Sequence, residues 1–184
     1  MSGRRTVGTG CVTRAAVSAL ARAGCRTLSA SGHGGAVPLD MDRGGVYLGP
    51  DGGDLVDLGG LGVHFKVRGE QTGGAFAVVE HPISPGIIVE PHIHRHEDEL
   101  SYVLEGTVWA RVGEQEIEAC AGSFVWKPRD VLHTFWNPGP EPARILETIS
   151  PAGFENFFEE LAVLYSSPHR QATPPSMGSV IATA

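Results

Sequence analysis

Little in this chain suits a membrane, a nucleic acid or a disulfide framework. No apolar run approaches the roughly 18–20 residues that a helical membrane span requires, so no membrane association is expected. Cysteine is scarce: Cys11, Cys25 and Cys120 are an odd number, and two of them fall in an arginine-rich start. That pattern does not read as a disulfide framework and suits a reduced, cytoplasmic compartment. Basic residues are also scarce beyond the start. Residues 1–39 hold Arg4, Arg5, Arg14, Arg22 and Arg26 and no acid, whereas the rest has nine bases against 21 acids. Phosphate contacts need clustered Lys and Arg, so this acidic domain is expected to have no nucleic-acid partner.

Turn chemistry, in contrast, is abundant. With 25 glycines and 13 prolines among 184 residues, 41% of them hydrophobic, the chain suits one core wrapped by many short strands. Residues 1–40, rich in Ala, Gly, Ser, Thr and Arg, read as a disordered extension. Arg14 and Arg22 interrupt the apolar stretch that an export signal starting at Arg4-Arg5 would need, and a helix over 13–23 is an alternative. A chain starting at Met41 is expected to be soluble and active. Residues 41–150 read as the strand-rich domain, 151–165 as a C-terminal helix and 166–184 as a disordered tail.

The expected strands are Val63–Val67, Ala75–Glu80, Ile87–Pro91, Leu100–Leu104, Thr107–Val112, Ile117–Cys120, Ser123–Trp126, His133–Trp136 and Ala143–Ile149. Such spacing belongs to an antiparallel sandwich or barrel rather than to βαβ units. Glu105-Gly106 is expected to form a two-residue hairpin turn, and Val112–Glu116 to hold the next one. Past Ser150 the period changes. Phe154, Phe157, Phe158, Leu161 and Leu164 recur every three to four residues, the stripe of an amphipathic helix packed on the outside of the barrel.

Two motifs carry the chemistry. The first reads Gly86, five residues, His92, one residue, His94, four residues, Glu99, six residues, Gly106. The second reads Gly122, five residues, Pro128, four residues, His133, three residues, Asn137. The stretches EPHIHRHEDELSYVLEG (90–106) and AGSFVWKPRDVLHTFWN (121–137) resemble the single-domain bacterial cupins, in particular those similar to quercetin dioxygenases. Nine of the ten fixed positions of the two-part cupin signature are met; Asp130 stands where the pattern usually has Gly. The resemblance implies an all-β fold, a cupin jelly-roll β-barrel with a C-terminal amphipathic helix. It also implies one divalent transition metal (Fe, Mn, Ni, Co or Zn) held by His92, His94, Glu99 and His133. The residue chemistry agrees. Side chains two apart on a strand enter the same side, about 7 Å apart along the backbone, and three neutral imidazoles with one carboxylate can surround such an ion.

For function, the resemblance implies a metal-dependent dioxygenase acting on a small enolisable or aromatic molecule, with Glu99 assisting its deprotonation. A metal-dependent isomerase or polyketide-type cyclase, in which Glu99 or His96 moves a proton, is the alternative, as is a non-catalytic ligand-binding cupin. His96 continues the His-x-His-x-His run and reads as a proton carrier at the pocket rim. Parity proposes Ser101, Val103 and Phe135 as pocket walls. Phe124 and Trp126 are proposed from a neighbouring strand, and Phe76 and Val78 as further candidates, a lining suited to a flat apolar substrate. Lys127 and Arg129 flank Pro128 in what reads as an exposed loop. His33, His64, His81 and His169 lack partners at ligand spacing and are given no role. The resemblance also implies a possible homodimer formed through barrel edges.

Overall fold

Alternation of buried and exposed residues builds the barrel walls in the computed structural model, which describes residues 46–166. The expected extension, with its export-signal and helix readings, and the expected tail after Ser166 lie outside the described residues. Among the described residues the strands are β1 (Leu55–Asp57), β2 (Gly62–Val67), β3 (Ala77–Ile83), β4 (Asp98–Glu105), β5 (Thr107–Val112), β6 (Gln115–Cys120), β7 (Phe124–Lys127), β8 (His133–Trp136) and β9 (Ala143–Ser150). A short 3-10 helix spans Gly69–Thr72, and among the described residues one α-helix, α1 (Glu155–Ser166), follows the strands.

The strands form two antiparallel sheets, one in the order β1-β2-β3-β9-β4-β7 and one in the order β6-β5-β8. Apolar side chains of both sheets join one core: Val63, Phe65, Val79 and Ile145 from the larger, Val108, Ala110 and Phe135 from the smaller. This is the jelly roll expected of the sequence. Period-2 burial is clearest on β9, where Ala143, Ile145, Glu147 and Ile149 turn inward, and on β4, where Glu99, Ser101 and Val103 do so. Three of those seven inward residues are polar, which marks where the interior changes from core to site.

Two local expectations change. Glu105-Gly106 is not a hairpin turn, because β4 belongs to the larger sheet and β5 to the smaller. The chain crosses between sheets there, with Gly106 at φ 74°. A Cβ on Gly106 would meet the Pro142 carbonyl oxygen at 2.9 Å, so both the backbone angle and the close approach demand glycine. The genuine tight hairpin is the next turn, where Val112 pairs with Gln115 around Gly113 at φ 57°. Likewise 87–91 is not a strand. That segment, with His92 and His94, is joined to the smaller sheet by isolated bridges, Ile88 to Trp136 and His92 to His133, and by a hydrogen bond from the Thr134 hydroxyl to the Val89 carbonyl.

The helix also sits differently from expectation. Phe158 and Leu161 belong to the barrel's own hydrophobic core, so α1 closes the barrel rather than lying on its outer surface. Glu155, at its start, is buried and accepts hydrogen bonds from the backbone N–H groups of Gly69 (2.8 Å) and Gly153 (2.6 Å). A carboxylate at a helix N-terminus is favoured by the helix dipole.

Candidate metal centre

His92, His94, Glu99 and His133 are all buried, and each offers a ligand atom within 4.8 Å of the others. Three stretches supply them: the irregular segment before β4, the start of β4, and the first residue of β8. The His92–His133 bridge, with backbone hydrogen bonds of 2.9 Å in both directions, ties the first motif to the second. His92 donates Nδ1–H to the Glu90 carbonyl (2.7 Å), and His133 donates Nδ1–H to the Val131 carbonyl (2.9 Å). A carbonyl oxygen only accepts, so both rings carry the proton on Nδ1 and keep a lone pair on Nε2. Nε2 of His94 lies 3.0 Å from Glu99 Oε1, and Nε2 of His133 lies 3.5 Å from Glu99 Oε2. Neither is aligned as a hydrogen bond, and both nitrogens are buried without a partner.

Electrostatics prepare two of these groups, His92 and Glu99. Burial, reinforced by the neighbouring His133, pushes His92 down to about 4, which leaves its ring neutral at neutral pH. Burial would raise Glu99, but the Lys127 ammonium, with the His133 and His94 rings beside it, holds it well below the usual carboxylate range. Buried imidazole lone pairs converging on an ionised carboxylate fit a divalent transition metal, and they leave its identity open.

Behind Glu99 lies a second layer of charge. Lys127, only 1% exposed, contacts Glu99 Oε2 at 2.7 Å and makes a short contact with Glu147 Oε1. Register explains the meeting. Glu99 stands opposite Lys127 across β4 and β7, and Ser101 stands opposite Glu147 across β4 and β9. Ser101 Oγ donates to Glu147 Oε1 at 2.7 Å, and His81 Nε2 lies 3.3 Å from Glu147 Oε2. Burial disfavours the charged lysine, yet Glu147 and Glu99 together raise Lys127 above its ordinary value. Burial and Glu99 push Glu147 up, while Lys127 and His81 outweigh them and bring it down to about 2.

The centre opens on a cavity of about 20 Å3 lined by His81, His92, Glu99, Phe135 and Glu147 and capped by Phe154, Phe157 and Phe158. That space admits one water-sized molecule. The cap touches the centre directly, since the Phe154 ring meets the His94 ring edge-on at 4.2 Å.

Several sequence expectations are corrected here. Phe124 (67% exposed) and Trp126 (65% exposed) point out of the barrel, because the inward residues of β7 are Val125 and Lys127. Phe76, just before β3, is exposed, and Val78 is half-buried on the outward parity of β3. Ser101 is buried but engaged with Glu147, and Val103 lies in the core; of the proposed walls, Phe135 lines the cavity. His96 is exposed on the bend between His94 and β4, where strand parity no longer applies, and it lines no part of the cavity. Lys127 is interior, not in an exposed loop. His81, given no role, is in the cavity wall. One signal for the missed layer was present: Glu147 interrupts the apolar inward series Ala143, Ile145, Ile149.

Residues 80–149 match the family model described as the Cupin domain. A tetracenomycin polyketide synthase protein, TcmJ, from Streptomyces glaucescens is 29% identical over 109 residues, covering 58% of this chain and 70% of that protein. A quercetin 2,3-dioxygenase from Bacillus subtilis (strain 168) is 29% identical over 132 residues, covering 71% of this chain and 36% of that enzyme. Among solved structures, KdgF from Halomonas sp. superposes with a TM-score of 0.54 at 17% identity, covering 60% of this chain and 96% of that one. An RmlC-like cupin from Shewanella frigidimarina NCIMB 400 gives 0.53 at 23%, covering 62% and 96%. Both structures support the fold alone. Barrel and site together define a jelly-roll protein whose buried histidines and glutamate could hold a metal. Residues 80–149 of the chain form a cupin domain.

Proposed function

We propose that this protein is a metal-dependent cupin enzyme, a dioxygenase acting on a small enolisable or aromatic molecule. The observation that carries the reading is the junction of two unlike surfaces. Three imidazoles and Glu99 converge on one side, and Phe135 with the Phe154–Phe157–Phe158 cap encloses the other. A divalent transition metal held by His92, His94, Glu99 and His133 would supply an electrophilic centre for an oxygen-donor substrate. Glu99, kept ionised by Lys127, would accept an enol or phenol proton once a bound metal had acidified it. The aromatic walls bind a planar molecule and exclude water. A cavity of about 20 Å3 means that any such substrate must displace part of the phenylalanine cap.

The names of the relatives, a quercetin dioxygenase and a polyketide synthase protein, support a reaction on an oxygenated small molecule. The second favours an isomerase or cyclase as the other reading, and the buried proton-bearing groups behind Glu99 suit that chemistry too. Oxygen uptake measured beside substrate loss decides between them, with the protein loaded in turn with Fe, Mn, Co, Ni and Zn and offered flavonols, diketones and enolisable aromatics. Loss matched by oxygen uptake supports the dioxygenase. Loss without uptake supports the isomerase or cyclase, and neither supports a ligand-binding cupin.

A further inference from the structure

The outer face of the larger sheet is apolar at its centre. Leu100 and Tyr102 point outward from β4, and Phe124 and Trp126 from β7. Register sets them side by side, Leu100 opposite Trp126 and Tyr102 opposite Phe124, and the Tyr102 and Phe124 rings meet at 4.6 Å. On the other flank of β4, β9 adds Leu146 opposite Tyr102 and Thr148 opposite Leu100. Phe124 is 67% exposed, Trp126 65% and Leu100 40%, and β7 is the last strand of its sheet. Soluble proteins usually blunt such an edge with charge or cover it.

Charge around this centre cancels within one copy. At one end of the strands Asp98 pairs with Arg129 at 2.8 Å. At the other, Arg144 pairs with Glu80 at 2.9 Å and with Glu105 at 3.1 Å, and Lys66 reaches Glu80 at 3.5 Å. The smaller sheet differs: across β5 and β6 Glu118 stands opposite Trp109 and Glu116 opposite Arg111, with Arg111, Glu116 and Glu118 exposed. Beyond residue 39 the chain holds nine bases against 21 acids, so two copies repel one another over most of their surfaces. They meet without that penalty only where no unpaired charge points outward. Area agrees. A standard dimer buries about 800 Å2 on each copy, a little over half of it apolar. At about 150–250 Å2 per aromatic side chain, Phe124 and Trp126 alone leave roughly 200–330 Å2 uncovered. Leu100, Tyr102 and Leu146 enlarge that patch.

We propose that a second copy of this chain docks on this face, giving a twofold dimer in which two larger sheets pack back to back. An uncharged aromatic patch is complementary to itself, as a twofold interface requires, and sheets pack face to face through such side chains. The paired charges at both ends of the strands supply the polar rim. This surface is a sheet face, not the barrel edges that the sequence resemblance implies. It lies on the opposite side of β4 from Glu99 and Ser101, which turn inward. The dimer therefore stands independently of the metal cage and of the proposed function.

The test is sedimentation velocity of the full chain, with hydroxyl-radical labelling of the same samples. The wild type is expected to sediment as a dimer. Corrected for intrinsic reactivity, Trp126 and Phe124 should be labelled several-fold more slowly than Ile88. That residue is 63% exposed in the single copy and adjoins the smaller sheet through its bridge to Trp136. Trp126→Glu should keep the far-ultraviolet circular dichroism spectrum and weaken the dimer by about 30-fold or more, because an aromatic anchor is lost and two like charges meet. A wild-type monomer overturns the proposal, whether the face is then bare, covered by another part of this chain or kept for a different protein. A dimer that labels Trp126 and Phe124 as fast as Ile88 overturns it as well, and that comparison needs no variant. So does a folded Trp126→Glu that dimerises as tightly as the wild type.

Discussion

Lys127 Nζ lies 2.7 Å from Glu99 Oε2, both side chains being almost fully buried, and the same ammonium reaches Glu147. One cation therefore holds two carboxylates inside the barrel. Removing one partner of a buried ion pair leaves an uncompensated charge, which typically costs about 3–5 kcal/mol. Lys127→Met is expected to lose stability of that order in urea unfolding. A loss within the range of surface substitutions, about 0.5 kcal/mol, would contradict the interior placement of the lysine.

Glu147 makes the acid stability of the barrel predictable in sign. Its folded value is about 2, against 4.5 for an unperturbed glutamate. A carboxylate depressed by folding contributes stability that is fully present above its unfolded value. That contribution fades as pH falls from about 4.5 towards 2. Unfolding free energy measured across this window should fall with acid in the wild type and more shallowly in Glu147→Gln. Parallel curves would show that the carboxylate is not held by Lys127 and His81.

Residues that point outward should be silent at the centre. His96→Ala, Phe124→Ser and Trp126→Ser are each expected to leave metal content unchanged, since all three side chains are exposed. Phe135→Ala, by contrast, removes a buried ring from the core and the cavity wall and should cost about 3–5 kcal/mol. Metal analysis with thermal unfolding separates the two groups, and metal loss in any of the first three variants would contradict their placement.

Asp130 explains its own departure from the cupin pattern. It is the one non-glycine residue with positive φ among those described, at 62°, and its N–H donates to the His94 carbonyl at 2.8 Å. The pattern's glycine is a demand for left-handed backbone, and Asp is among the few side chains that tolerate it. Asp130→Gly should therefore change stability by no more than about 1 kcal/mol. Asp130→Val, branched at Cβ, should be worse by at least about 1–2 kcal/mol. Equal stabilities for the two variants would refute the argument.

These cases show what the sequence made legible. The residues proposed as ligands were readable because the motif spacings pick out the side chains that meet after folding, even though His92 and His94 do not lie on a strand. The inward parity of β4 was readable from Glu99 onward. On β7 the parity was misread, because a short strand after Gly122 offers no polar face to set its phase, and the register that settles it belongs to β4. Lys127 and His81 stayed invisible for a related reason. Each is a single residue whose partner, Glu147, lies on β9 and meets it only through sheet pairing. The change of sheet at Glu105-Gly106 is likewise tertiary, since a hairpin and a sheet crossing demand the same glycine. The role of α1 was underread because a stripe of phenylalanines looks identical whether it packs on a barrel or closes one.

Whether His92, His94, Glu99 and His133 hold one metal ion between them is decided by metal stoichiometry in His133→Ala beside far-ultraviolet circular dichroism. The wild type is expected to bind a divalent transition metal stoichiometrically, and His133→Ala to bind none while keeping the β-sheet spectrum. A fully metallated His133→Ala barrel would contradict it.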